Sequence, residues 1–272
     1  MALWLMLLAL SLNSLYADWL IIELNEDKFG NSSMQSTFIQ DQKIRIETFN
    51  STIIIDLDSS LLSFILPDRK VYWQGKPEVL REGIFSALEN QLTVMMAQMP
   101  DSERKAAQQE LEWLRNPADA DSLENQFYEM ISIHKTDETD SIAGYIAQKY
   151  MVVIDSTAFE QVWFTRQVKP YAHIDLKQMH HLIKIITKPG IVNTYRASDA
   201  YLELINDGLV LRSVIPTSMG ESISEVYSIR EAAIPTDFFL PPQGYRPIGL
   251  TEFVQISLTG FEDPRQKGIP EW

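Results

Sequence analysis

The stretch Ile142–Arg166, IAGYIAQKYMVVIDSTAFEQVWFTR, most constrains what this chain can fold into. β-Branched and aromatic residues crowd both sides of the turn-forming Asp155–Ala158, which predicts two strands joined there. Tyr150, Val152 and Ile154 share one face of the first strand, and Met151 and Val153 share the other. On the second strand Phe159 and Trp163 oppose Val162 and Phe164. An edge strand with one wet face would alternate cleanly, so both faces of this hairpin are expected to be covered. Strand-like segments precede and follow it, with helical segments among them. The pattern describes a sheet wrapped around something apolar.

Before the hairpin, Trp19–Asn25 reads as the first strand and Asp27–Ser33 as a polar turn. Met34–Phe49 gives two short strands around Asp41-Gln42, the second being the strictly alternating Lys43–Glu47. Asn50-Ser51, Asp58-Ser59-Ser60 and Pro67-Asp68 then separate Thr52–Leu57, Leu61–Leu66 and Arg69–Trp73. At Glu82 the period changes from two to near 3.6, with Phe85, Leu88, Leu92, Met95, Met96 and Met99 on one helical face. Pro100-Asp101 breaks this helix, and Asp101 or Ser102 caps a second one running to Arg115. Gln126–Lys135 resumes the strands and Thr136–Asp140 turns them. Ile174–Lys188 reads as a third helix, ended by Pro189-Gly190. Ala200–Ile205 and Leu209–Ile215 read as a hairpin around Asn206-Asp207-Gly208, and Ile223–Glu231 as a further strand. Phe238–Tyr245 is proline-rich and extended, Thr251–Leu258 adds a strand, and residues 260–272 form a loose tail.

Ala2–Leu12 is an apolar run too short to span a bilayer, and the small residue Ala17 ends the stretch that follows it. No Lys or Arg precedes Lys28, so the basic flank of an export signal is missing. The expectation is a signal peptide over residues 1–17, cleaved near Ala17–Asp18, against the alternative of a buried N-terminal helix. Residues 18–259 then form one domain, periplasmic or secreted, with no membrane span in the mature chain. The chain has no cysteine, hence no disulfide, thiol nucleophile or acyl-anchored cysteine. A domain of this size buries enough core to do without disulfides. The net charge of −14 repels phosphate backbones and anionic headgroups, so nucleic acid is excluded as an expected partner.

Three stretches resemble a known family. Asn50–Trp73, with its strand, Asp turn, strand, Pro turn and Tyr strand, resembles the outer-membrane lipoprotein carrier LolA and its relatives. Lys43–Glu47 is similar to the arginine-bearing strand before that run, with Arg45 at the matching position. Thr236–Tyr245, TDFFLPPQGY, is similar to the family's closing F-x-x-P-P-x-G segment. Together with the Ile142–Arg166 hairpin, the chain resembles an uncharacterised LolA-like branch of exported bacterial proteins. The resemblance implies an α+β fold, an incomplete antiparallel β-barrel of the LolA and LolB type with helices over its concave face. It also implies an apolar cavity, which in the carrier holds lipoprotein acyl chains. Two features depart from the carriers: the mature chain starts in a strand rather than a helix, and the helical pair Phe85–Arg115 is longer.

Several constellations are candidates for function. The face Phe85, Leu88, Leu92, Met95, Met96 and Met99 suits a lid over varied apolar shapes, and equally an ordinary amphipathic helix packed on a core. Tyr150, Val152 and Trp163 are candidates for the cavity wall. The resemblance places Arg45 in the cavity, bonding lid carbonyls or a ligand headgroup; the alternative is a rim arginine paired with a neighbouring carboxylate. The histidines His134, His173, His180 and His181 show no metal-site spacing, and no nucleophile elbow or phosphate loop occurs. No catalytic residue, metal or cofactor is therefore expected, and the chain is not expected to be an enzyme. Its expected role is to carry or sense a lipid or other apolar small molecule. An envelope scaffold with a filled core and a protein partner is the alternative.

Overall fold

The computed structural model describes residues 18–97, 99–100, 103–105, 107–108, 130–186, 195–196 and 198–258. The expected signal peptide, the helix from Asp101 to Arg115, the Pro189-Gly190 stop and the C-terminal tail fall largely or wholly outside them. The fold is α+β, built on one open sheet of twelve strands, and all pairings are antiparallel except that of β12 with β6.

The first six strands follow the turns legible in the sequence. They are β1 (Trp19–Glu26), β2 (Ser32–Gln40), β3 (Lys43–Glu47), β4 (Thr52–Asp56), β5 (Leu61–Leu66) and β6 (Val71–Gly75). Asp41, Ser60 and Lys70 take positive φ at three of the turns between them. Helix α1 (Pro77–Met96) follows, starting five residues before the change of period. The second meander comprises β7 (Ile131–Ile142), β8 (Tyr145–Ile154) and β9 (Thr157–Thr165), followed later by β10 (Leu209–Thr217) and β11 (Gly220–Glu231). β1 pairs with both β2 and β11 and so joins the meanders, while β7 and the two-residue β12 (Arg246–Pro247) form the free edges. Thr136–Asp140 is not a turn: β7 runs through it with a register shift between Lys135 and Thr139. Asp155 and Ser156, both at positive φ, form the two-residue turn between β8 and β9.

Two expected strands are helices. Ala200–Ile205 lies in α3 (Asp199–Asn206), started by Ser198, whose side chain accepts from the Tyr201 backbone N–H. Thr251–Leu258 lies in α4 (Leu250–Leu258). Neither Asn206, Asp207 nor Gly208 has positive φ. Glycine is required at 208 for another reason: a Cβ there would sit 2.0 Å from the Thr165 carbonyl oxygen. That close approach sets α3 against β9 and β10.

Helix α2 (Leu176–Ile186) buries Met179 and Leu182. Its N-terminus is anchored: Asp175 accepts from the Gln178 N–H, and Gln178 in turn donates to the Leu57 carbonyl and the Ser60 hydroxyl. α1 packs on α2 and α4, and the rings of Trp73 and Phe253 stack at 5.8 Å between β6 and α4. On the other face of the sheet, Phe38, Ile54, Ile65 and Tyr72 lie beneath Ile234, Phe238, Phe239 and Tyr245 of the proline-rich segment.

Candidate functional site

The inner face of β3, β4 and β5 presents Ile44, Ile46, Ile53, Ile55, Leu62 and Phe64. These side chains alternate with an outer set, as register requires: Arg45 pairs across to Phe38 and Ile54, and Ile44 to Ile39 and Ile55. Met179 of α2 and Tyr201, Leu202 and Ile205 of α3 stand opposite the inner set. Between sheet and helices lies an apolar chamber of about 440 Å³. A second chamber of about 480 Å³ adjoins it along β1, β2, β10 and β11, and its walls are mostly serines, amides and carboxylates, with Ile215, Ile223 and Arg196 among them. Five residues line both: Glu23, Gln35, Arg196, Ser213 and Ser224 form the neck.

The neck is held from behind by a buried charge. Glu160 of β9 has no solvent exposure, since it shares its face with Val162 and Phe164 in the packed half of the sheet. It accepts from the Tyr195 hydroxyl at 2.5 Å, from Arg196 Nη2 at 2.9 Å and from the Ser213 hydroxyl. Arg196 Nε also donates to the Tyr195 oxygen at 3.0 Å. The guanidinium is thus fixed by Glu160, yet its side chain is 42% exposed and faces the chambers. Burial pushes the Tyr195 phenol above its ordinary range and the Tyr201 phenol up to about 12. Across the neck, Glu23 accepts from Gln35 Nε2 at 2.9 Å. Burial raises its pKa, and Gln35 and Arg196 only partly offset that.

Arg45 does bond a carbonyl, donating to Phe238 O at 2.6 Å with its guanidinium 4.3 Å from the Phe238 ring. It also pairs with Glu47. This happens on the face opposite the chambers, where strand alternation puts Arg45 while Ile44 and Ile46 point inward, so its assignment to the cavity is corrected. The arginine strand and the proline segment, read separately, touch each other. Tyr150 and Val152 are buried against Phe164, Tyr195 and Tyr201 in solid core rather than in a chamber wall. Trp163 is half-buried, with Lys149 and Arg212 at 5.2 and 5.1 Å from its ring.

The methionine-rich face does not roof the chamber. Helix α1 packs through Leu80, Ile84 and Ala87, a stripe that neighbours the expected face rather than coinciding with it. Phe85, Leu92, Met96 and Met99 are half-buried, Met95 is exposed, and the Leu88 side chain lies outside the described residues. None of them lines either chamber of the cavity. α1 and α4 instead flank a separate, wider groove of about 720 Å³. The roof is α2 with α3, and α3 was missed. Its available signals were Ser198 as N-cap and the i, i+3, i+4 set Tyr201, Leu204 and Ile205. Glu160 was missed too, although an acid on the face of Val162 and Phe164 calls for a buried partner.

Among the described residues no three His, Asp or Glu side chains converge as a metal site, and no helix is long and apolar enough to cross a membrane. Neither a known protein family nor a curated protein matches the chain. Among solved structures, an uncharacterized conserved protein from Thermus thermophilus superposes with a TM-score of 0.42 at 7% identity, over 86% of this chain and 91% of that one. PNGF-II gives 0.38 at 13% identity, over 89% of this chain and 33% of its own. MucB in complex with MucA(peri) gives 0.37 at 8% identity, over 86% and 57%. All three scores are low, and none of the identities exceeds 13%.

Proposed function

We propose that this protein binds an apolar, chain-bearing molecule between sheet and helices, and that it holds the molecule rather than transforming it. The observation that supports this is the 440 Å³ chamber, walled by aliphatic side chains of β3–β5 and roofed by α2 and α3. Its volume falls within the range of about 300–1,000 Å³ typical of small-molecule sites, and its apolar wall with a few polar groups at one end is their usual composition. An open volume of this kind favours a binding protein over a scaffold whose core is filled. The LolA-like barrel suggested by Asn50–Trp73 and Thr236–Tyr245 belongs to the same proposal, as does export to the periplasm guided by Ala2–Leu12.

Native mass spectrometry of gently purified protein, followed by organic extraction, tests the binding role. A co-purifying acyl species or other lipid is expected. Protein that is empty as purified and fails to take up Nile red would overturn it. For export, N-terminal mass analysis is expected to find Asp18 first; an intact Met1 on cytoplasmic material would refute it.

A further inference from the structure

The apolar chamber has a floor, a closed end and a neck, and their dimensions bear on the shape of what fits. We propose that it takes one unbranched hydrocarbon chain of up to about fifteen carbons, lying across the strands with its tip against Phe64. The ligand is thus single-chained, and its length is measured by the sheet. The proposal rests on the binding role above and names the ligand class for that same cavity.

The floor follows from strand register. Phe64 of β5 pairs with Ile53 of β4, Ile53 with Ile46 of β3, and Ile46 with Thr37 of β2. These side chains form one row across the sheet, and all of them line the chamber. Leu62, Ile55 and Ile44 form the neighbouring row, two residues along each strand. No third residue of β3, β4 or β5 lines the chamber. The floor there is a furrow between two rows about 7 Å apart, and an alkyl chain seated in it leaves no place for a second alongside.

One end of the furrow is closed. Phe64 is backed by Trp73 of β6 and Phe253 of α4, with ring centroids at 6.2 and 5.3 Å, and no residue of β6 lines the chamber. The other end is the neck, where Glu23 of β1 pairs with Gln35 of β2. Neighbouring strands lie about 4.8 Å apart, so the distance from β5 to the neck at β2 and β1 is roughly 14–19 Å. With C–C bonds of about 1.5 Å at tetrahedral angles, an extended chain advances about 1.25 Å per carbon, and about 11–15 carbons span that distance. The volume agrees independently. A methylene occupies about as much as a water in the liquid, roughly 30 Å³, so 440 Å³ holds about fifteen carbons. Two lauroyl chains would exceed it by more than half.

The test uses the intact wild-type protein and the saturated fatty acids from octanoate to stearate, each displacing Nile red below its micelle concentration. A matching series of lysophosphatidylcholines keeps the charge of the head from deciding the outcome. Each newly buried methylene raises affinity about fourfold, so a steep rise is expected from octanoate to laurate. From palmitate to stearate the whole gain is expected to stay below about twofold, because the added carbons find no further apolar wall. A fourfold gain per methylene continuing to stearate would overturn the length limit and leave the binding role intact. Uptake of neither Nile red nor any member of either series would overturn both. Native mass spectrometry at saturation is expected to show one laurate per protein, and two would overturn the single-chain assignment. Phe64→Val keeps a strand-favouring residue while opening the closed end, and is expected to move the limit up by about two carbons. An unchanged limit in the folded variant would remove Phe64 as the end of the furrow; the wild-type series decides the length limit without it.

Discussion

In the half of the sheet formed by β3–β5, the residues facing the helices are Ile44, Ile46, Ile53, Ile55, Leu62 and Phe64; in β8 and β9 they are Tyr150, Val152, Glu160, Val162 and Phe164. Helix α3 serves both. Leu202 and Ile205 look into the chamber, whereas Tyr201 and Leu204 pack onto the second set, and Tyr201 touches the chamber as well. Where aromatic rings project from sheet and cover alike, they meet edge to face and close the space, as Tyr195 does with Phe159 at 5.2 Å and with Tyr201 at 5.8 Å. Where short branched chains face the same layer, they do not reach across, and a volume remains. The difference lies in side-chain length rather than in polarity, because apart from Glu160 both surfaces are apolar. The solid half also carries the one fully buried acid among the described residues, whose partner Arg196 reaches the neck of the hollow half. One half therefore supplies the rigid support and the other the space.

The largest expected effect comes from breaking that support. Arg196→Met removes the counter-charge of Glu160 and is expected to destabilise the protein by about 3–5 kcal/mol, measured by chemical denaturation. Adding Glu160→Gln to it should recover much of the loss, because a buried pair removed together costs far less than one partner left alone. A single variant as stable as wild type would mean that the solid half does not depend on the pair.

A second experiment compares the halves with the same substitution type. Val162→Phe adds a ring where Val162 has no exposure, and overpacking there is expected to cost about 1–3 kcal/mol. Ile53→Phe adds the ring at the chamber wall, where space exists, and should shift stability by less than about 1 kcal/mol while abolishing Nile red uptake. Equal losses in both would mean that the chamber closes up in solution.

The strands on both sides of this comparison were legible in the sequence; the chamber was not. Turns at Asp41-Gln42, Asn50-Ser51, Asp58–Ser60 and Pro67-Asp68 mark β2–β6 because each calls for residues that tolerate tight or left-handed backbone. The α3 segment, Tyr201-Leu202-Glu203-Leu204-Ile205, fits a period of two almost as well as one of 3.6, and the Asn-Asp-Gly after it imitates a hairpin turn. Its capping by Ser198 and the core beneath it decide for helix. α4 is equally short, and its Phe253 meets Trp73 and Phe64, far earlier in the chain. A void has no signature at all, since Ile44 and Ile53 would read the same against a filled core. The pairing of Glu160 with Arg196 spans an intervening helix, so only the need for a partner was visible, not its identity.

The neck gives a smaller effect with a defined pH dependence. The folded-state pKa of Glu23 is raised by burial above the ordinary value of about 4.3, so in the window between the two the folded protein keeps a proton that the unfolded chain has lost. Stability from this group therefore falls as pH rises through the window, and the cost is complete above it. Glu23→Gln is expected to flatten that part of the stability–pH curve and to raise the melting temperature slightly at neutral pH. An unchanged slope across the window would show that Glu23 is better solvated than its place in the neck implies.

The smallest expected effect tests where the cover is. Met96 sits near the end of α1, half-buried, and lines neither chamber. If α1 were the lid, Met96→Glu would weaken uptake of Nile red; if the helix were fully buried core, the same change would unfold the protein. With α1 packing on the core through buried Leu80 and half-buried Ile84 and Ala87, neither is expected. The carboxylate can turn to solvent, so the change in stability should stay within about 0.5 kcal/mol and uptake should match wild type. Leu202→Glu provides the contrast, since Leu202 of α3 lines the chamber and its carboxylate would face the aliphatic wall. Loss of uptake in Leu202→Glu but not in Met96→Glu assigns the cover to α3. The reverse result would return that role to α1, and the hollow half of the sheet would then have to open toward the methionine-rich helix.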